Sequence, residues 1–155
     1  MTSKKIGSRE RAIQRILDAH RFAVLATQRD GQPHTSLVAF TPSNGIRQLV
    51  FATYRSTRKF RSLLASNRVS LLIGGQSPKP HEHCEGSVLT AHGMASVVLS
   101  GEKETLLREH RMRHPDLGVF LSSPEVAVIS VVVTAYQLVG GIEDVRWFEL
   151  TDCNG

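Results

Sequence analysis

The amino-acid sequence predicts an α+β fold built on an antiparallel β-barrel of six to seven strands with about three flanking helices. Three observations carry that expectation. Apolar segments are punctuated by Asp30-Gly31 and Asn44-Gly45, two hairpin turn pairs at meander spacing. Strand-like and helix-like segments follow one another without the regular alternation of a parallel sheet. The chain of 155 residues, 41% hydrophobic and 21% charged, suits one domain over 1–155 with a substantial core.

The elements follow in order. "SRERAIQRILDAH" (8–20) places Ala12, Ile13, Ile16 and Leu17 at helical spacing, with Ser8 as the expected N-cap. "FAVLATQ" (22–28), "PHTSLVAF" (33–40) and "QLVFAT" (48–53) form a three-strand meander around the two turns. A helix follows from about Thr57 to Ser66, capped by Ser56 or Thr57, with Phe60, Leu63 and Leu64 as its buried face. "RVSLLI" (68–73) is a strand, "GGQSPKPHEHCEG" a loop, and "SVLTAHGMASVVL" (87–99) a long strand in which Gly93 marks a bulge or close backbone approach. "SGEKETLLREHRMRH" (100–114) reads as an amphipathic helix with Ser100 as cap candidate, ending before Pro115. The last strand pair is "VAVISVVVTAYQLV" (126–139) and "VRWFEL" (145–150).

The polar N-terminus "MTSKKIGSRERAIQR" does not read as a signal peptide, and "VAVISVVVTAY" is too short and too β-branched for a membrane span. Two cysteines, Cys84 and Cys153, do not make a disulfide framework. A cytoplasmic protein with no membrane partner is the expectation.

The net charge of +5 is unevenly distributed. No Asp or Glu occurs between Asp30 and Glu82, an interval that holds Arg47, Arg55, Arg58, Lys59, Arg61, Arg68 and Lys79. Clustered in space, such cations favour an anionic ligand. Nucleic acid ranks low, because an aromatic content of 6% offers little for base stacking.

The stretch "FATYRSTRKF" (51–60) combines several anion-binding devices. The strand end places Thr53 near the first turn of a helix, whose free N–H groups and dipole suit a phosphate. Arg58 offers a bidentate fork and Lys59 a point charge. His81, His83 and Cys84 lie too close together for a four-ligand structural zinc site, so no metal is expected there. His34 and His92 fall in strands, as core, interface or ligand contacts. Trp147, the lone tryptophan, is a core or interface filler or, beside "LVGG", a ligand contact. Nucleophile-elbow, Walker, dinucleotide and zinc-protease motifs are absent, and no catalytic residue is identified.

From about Ile13 to Leu150 the ordered series "FAVLATQRDGQPHTSLVAF", "LVFATYRSTRKFRSLLASNRVSLLI", "AHGMASVV" and "YQLVGGIEDVRWFEL" resembles the pyridoxamine 5′-phosphate oxidase-like family of FMN-binding split β-barrel proteins. The resemblance implies a homodimer with FMN in each of two clefts between subunits. By position, Thr53, Arg58 and Lys59 look like the grip on the FMN phosphate. Ser36, Leu37, Val38 and Ala39 match the flavin-bordering strand, Ala52 stands beside Thr53, and Trp147 resembles an aromatic residue closing the cleft.

The chain also departs from the family pattern. Ser36 stands where true pyridoxamine phosphate oxidases carry an arginine, and no basic residue follows Trp147. The resemblance therefore does not carry over pyridoxamine phosphate as substrate. The phrase "LVGGIEDVRWF" is also similar to split-barrel proteins that bind or degrade heme, and other relatives use the deazaflavin F420. The leading expectation is an FMN-dependent oxidoreductase acting on a small-molecule substrate. The alternatives are a heme-binding or heme-degrading protein and a non-catalytic flavin-binding module.

Overall fold

Six strands close into a barrel because β6, long enough to serve two neighbours, returns to the meander's free edge. The computed structural model describes residues 7–75, 87–141 and 144–150. The meander consists of β1 (Phe22–Arg29), β2 (Gln32–Ser43) and β3 (Gln48–Tyr54). It is followed by β4 (Arg68–Gly74), β5 (Val88–Val97), β6 (Val126–Gly141) and β7 (Asp144–Glu149). The order β3-β2-β1-β4-β5-β6-β7 is closed by pairing of β3 with β6, and every pairing is antiparallel. The β3 partner runs along the first part of β6, from Tyr54↔Val126 to Gln48↔Val132, and β7 joins its last part.

Both predicted turns form where the chain can enter the left-handed region. Asp30 and Gly31 have φ of 52° and 75°, and Asn44 and Gly45 have 52° and 65°. The two-residue Asp30-Gly31 loop has the length of a primed turn, which matches the twist of the flanking strands, whereas Asn44-Gly45 opens a longer loop, 44–47, closed by the Arg47 amide donating to the Asn44 carbonyl. β2 extends past the expected end at Phe40, because Thr41, Pro42 and Ser43 pair with β3 after pairing with β1 has stopped at Ala39. Pro42 is tolerated there because β2 has a single neighbour at that point.

The barrel interior alternates strictly on β4, where Val69, Leu71 and Ile73 are buried between more exposed residues. By contrast, every residue of β6 from Val126 to Val131 is buried. The reason is a second layer. Val50, Val98, Leu106 and Val128 form a smaller cluster under α3 (Ser100–Arg113), so this part of β6 is covered on both faces. Helix α1 (Ser8–Ala19) contributes Ile13 and Leu17 to the main core, and α2 (Arg58–Ala65) contributes Phe60 and Leu63. The Tyr136 phenol is buried, donates to the Ile46 carbonyl, and has its pKa raised by desolvation.

Several local expectations are corrected. The N-caps of α1 and α3 are Gly7 and Leu99, one residue earlier than Ser8 and Ser100, and neither makes a side-chain cap. Leu64 is 66% exposed, because the short α2 buries only a stripe through Phe60 and Leu63. After α3 a 3₁₀ turn, Pro115–Leu117, leads into a fourth short helix, α4 (Gly118–Leu121), where the sequence suggested only a break. Among the described residues no helix is long and apolar enough to cross a membrane. His81, His83, Cys84 and Cys153 lie outside the described residues.

Candidate functional site

The chain turns from β3 into α2 through a hydroxyl network. Thr57 is the N-cap: its Oγ1 accepts the Phe60 amide at 3.3 Å and donates to the Tyr54 carbonyl at 2.9 Å. The same oxygen lies 2.9 Å from Oγ1 of the buried Thr53, so strand end and helix start share one contact. Arg58 and Lys59 are the first two residues of α2, where backbone N–H groups lack intrahelical partners. No acidic residue occupies this first turn. Arg58 is exposed, whereas Lys59 is partly buried and burial lowers its pKa.

The two neighbouring arginines do other work. Arg55 donates to the carbonyls of Pro124 and Val126, at 3.2 and 3.3 Å, tying the turn to the start of β6. Arg61 donates to the Ser56 carbonyl at 3.0 Å.

Strand periodicity divides the remaining candidates between two faces. Ser36 and Val38 share the inward parity of Phe40. Val38 is in the core, and Ser36 Oγ is buried with no hydrogen-bond partner among the described residues. Leu37 and Ala39 face outward, with Leu37 66% exposed. A cleft of about 320 Å³ beside Leu37 is lined by His20, Arg21, Phe22, Val24 and Leu72. Ala52, half-buried, alternates with Thr53 and pairs with Val128.

Trp147 is not a core filler but is 58% exposed on β7. The register places it in one outward row: Leu37, Val24, Leu72, Thr90, Gln137 and Trp147 lie opposite one another across consecutive strands. Five strand spacings separate its ends, roughly 24 Å along the sheet. The structure brings Thr53, Arg58 and Lys59 together at the turn from β3 into α2, and it holds Trp147 far from them, because Thr53 pairs with Ala127 and Trp147 with Gln137, roughly 30 Å apart along β6.

One group of residues was only half visible in the sequence. His92 faces outward and stacks against Trp147, with ring centroids 5.2 Å apart and planes inclined by 22°. Its Nδ1 is 2.9 Å from Ser70 Oγ, and its Nε2 is buried without a partner among the described residues. The bulge foreseen at Gly93 sets this arrangement: β6 inserts Thr134 opposite the His92–Gly93 step, and Thr134 Oγ1 donates to the His92 carbonyl at 3.2 Å. Gly93 itself allows close approach, since a Cβ there would lie 2.3 Å from the Val132 carbonyl oxygen.

The fold recurs in solved structures. The heme binding protein from Mycobacterium smegmatis superposes with a TM-score of 0.81 at 19% identity, over 92% of this chain and 58% of that one. This chain therefore spans little more than half the length of that relative. General Stress Protein 26 from Bacillus anthracis matches with a TM-score of 0.72 at 20% identity, over 93% of this chain and 100% of that one. The heme storage protein HutZ from Vibrio cholerae gives 0.70 at 16% identity, over 90% and 93%. No curated protein sequence matches the chain. The sequence profile of the pyridoxamine 5′-phosphate oxidase family matches residues 10–140, most of the chain and all of the barrel but the last residue of β6. On that match the protein belongs to the pyridoxamine 5′-phosphate oxidase family of split β-barrel proteins.

Proposed function

We propose that the protein is an FMN-binding flavoprotein, active as a homodimeric oxidoreductase on a small-molecule substrate. The observation that carries this reading is the first turn of α2, where Arg58 and Lys59 stand with no acidic residue. Positive charge at a helix N-terminus is unfavourable by about 0.3–1 kcal/mol per group, and a bound phosphate reverses the sign. The residues present therefore fit the phosphate end of FMN. Arg58 would fork onto its oxygens, and Lys59 would add a charge strengthened by partial burial.

FMN supplies the hydride and electron chemistry, which is consistent with the lack of a recognisable acid–base pair in this sequence. The protein's share is binding and orientation. The Thr53–Thr57 contact fixes the turn that presents the cations, and β2 offers the outward Leu37 and Ala39 beside it. Trp147, if it closes the same cleft, must come from a second copy, because Thr53 and Trp147 pair with β6 at Ala127 and Gln137, roughly 30 Å apart along that strand. The exposed apolar row of Val24, Leu37 and Leu72 supports such a partner.

Titration of the purified protein with FMN tests the reading. Saturable binding is expected, with a shifted flavin absorption spectrum, and the Arg58→Ala/Lys59→Ala double variant should lose it. No binding, or unchanged affinity in that variant, overturns the assignment. A second reading, heme binding, is favoured by the unpartnered Nε2 of His92, which offers a lone pair in the tautomer whose Nδ1–H donates to Ser70 Oγ. An intense Soret band that disappears in His92→Ala would favour heme over flavin.

A further inference from the structure

We propose that the groove beside His92 is a second binding site, specific for a small oxyanion, with Arg68 and His92 as its recognition groups and Trp147 as its movable cover. The groove has a volume of about 530 Å³ and is lined by Gln28, Arg68, Ser70, His92, Met94 and Thr134 among others, with no acidic residue in its wall. Register fixes the neighbours. Ser70 pairs with His92 and Arg68 with Met94, so Arg68 and His92 are diagonal neighbours on the outward face. Diagonal residues stand about 7–8 Å apart, a separation that one carboxylate or phosphate can bridge with its oxygens.

The polar inventory is nearly used up except at these two residues. Thr134 Oγ1 donates to the His92 carbonyl, and Gln28 Nε2 lies 3.4 Å from Ser66 Oγ. Ser70 Oγ is engaged with His92 Nδ1. When that hydroxyl donates to Nδ1, the neutral ring carries its hydrogen on Nε2, the nitrogen left without a partner. Arg68 makes no ion pair among the described residues, and the nearest acid in the His92 row, Glu149, is two strands away on β7. A buried donor without an acceptor is destabilising, so its persistence beside an unpaired guanidinium points to an external acceptor.

The geometry around the imidazole looks built for this role. The Thr134 bulge and Gly93 bring the backbones of β5 and β6 together at His92, and bulges re-aim side chains at sites of this kind. Trp147 stacks on the ring from β7, an edge strand paired only with β6, and more than half of it is exposed. An arriving anion reaches Nε2 once the indole slides off the imidazole. This site needs no flavin and shares only Trp147 with the FMN reading.

The chain's single tryptophan makes the test local. The full-length Arg58→Ala/Lys59→Ala variant, which lacks the other phosphate-binding cations, is titrated with inorganic phosphate and separately with acetate at constant ionic strength. Trp147 fluorescence and calorimetry are recorded together. The expected result is saturable binding of at least one anion with a fluorescence change, weakened tenfold or more by Arg68→Gln and by His92→Gln. The stronger arm identifies the ligand as phosphate-bearing or carboxylate-bearing. Absence of heat and of fluorescence change with both anions overturns the proposal, as does unchanged affinity in Arg68→Gln, which alters an exposed residue and leaves the fold intact. FMN binding by the unsubstituted protein is scored separately, so either site can fail without the other.

Discussion

Thr53 and Thr57 face each other with their hydroxyl oxygens 2.9 Å apart, joining the last buried residue of β3 to the N-cap of α2. Because Thr57 also accepts the Phe60 amide, one hydroxyl both starts the helix and fixes its direction. Thr57→Ala should therefore destabilise the fold by about 1 kcal/mol, the usual worth of a threonine cap. Urea unfolding should show a lower midpoint with an unchanged slope. FMN affinity should fall as well, because the turn presenting Arg58 and Lys59 loosens. Thr57→Ser should restore both, since the hydroxyl is what counts.

Removal of the cations should separate binding from stability. Arg58→Ala takes away an exposed side chain and should leave the melting temperature nearly unchanged. A charge-assisted contact is worth roughly 1.5–3 kcal/mol, so FMN affinity should drop by at least tenfold. Lys59→Ala should weaken binding similarly while relieving the partial burial that lowers the pKa of its ammonium group. Flavin fluorescence titration reads both. A loss equal to that of the double variant from either single change would mean that the two cations act as one unit.

Most of the barrel was legible in the sequence because its signals are local. Asp30-Gly31 and Asn44-Gly45 dictate their turns, and Gly93 announced the irregularity where β5 pairs with β6. The phosphate-type turn was legible for the same reason, since Thr53, Thr57, Arg58 and Lys59 are close in the chain. What could not be read was long-range. Nothing near His92 reveals that Ser70 and Trp147 meet it, because those contacts depend on the registers of β4, β6 and β7. The burial of β6 on both faces likewise follows from α3 lying over it. The helix caps at Ser8 and Ser100 were misplaced by one residue, because Gly7 and Leu99 enter with extended backbone and no side-chain bond.

Gly93 should tolerate no side chain. A methyl group there would stand 2.3 Å from the Val132 carbonyl oxygen and 2.8 Å from Val131 Cγ1, both within the packed sheet. Overpacking typically costs 1–3 kcal/mol, and a clash with backbone falls at or above the upper end. Gly93→Ala should lower the melting temperature markedly and shift Trp147 fluorescence, because the bulge positions His92. By contrast, Gly101→Ala, in open space on α3, should be neutral or mildly stabilising.

Acid should loosen α3. His110 is 1% exposed, lies 2.8 Å from Thr41 Oγ1, and sits 4.7 Å, centroid to centroid, from the equally buried His114. Burial, then His114 and Arg113, hold the pKa of His110 down at about 4, and burial also lowers that of His114. The folded state thus binds fewer protons than the unfolded chain, whose histidines titrate near 6.5. This contribution to stability is complete above pH 6.5 and is lost as pH falls toward 4, on the order of 3 kcal/mol for His110. Denaturation midpoints measured from pH 7 to 4 should decline, and His110→Gln should flatten part of that slope. A parallel decline in the variant would place the acid sensitivity elsewhere.

The exposed apolar row predicts the assembly. Leu37 is 66% exposed and lies opposite Val24, which in turn lies opposite Leu72, with Phe22 on the same face. A contiguous patch of this kind on a sheet is characteristic of a surface covered by a partner. Leu37→Glu adds a charge at the most exposed residue of that patch without touching the core, so the variant should remain folded. Light scattering after size exclusion should report a dimer for the unsubstituted chain and a monomer for Leu37→Glu. FMN retention should fall with dissociation, because Trp147 of a second copy would no longer close the cleft. A folded monomer that keeps its full flavin affinity would confine the cofactor to one chain and remove Trp147 from its site.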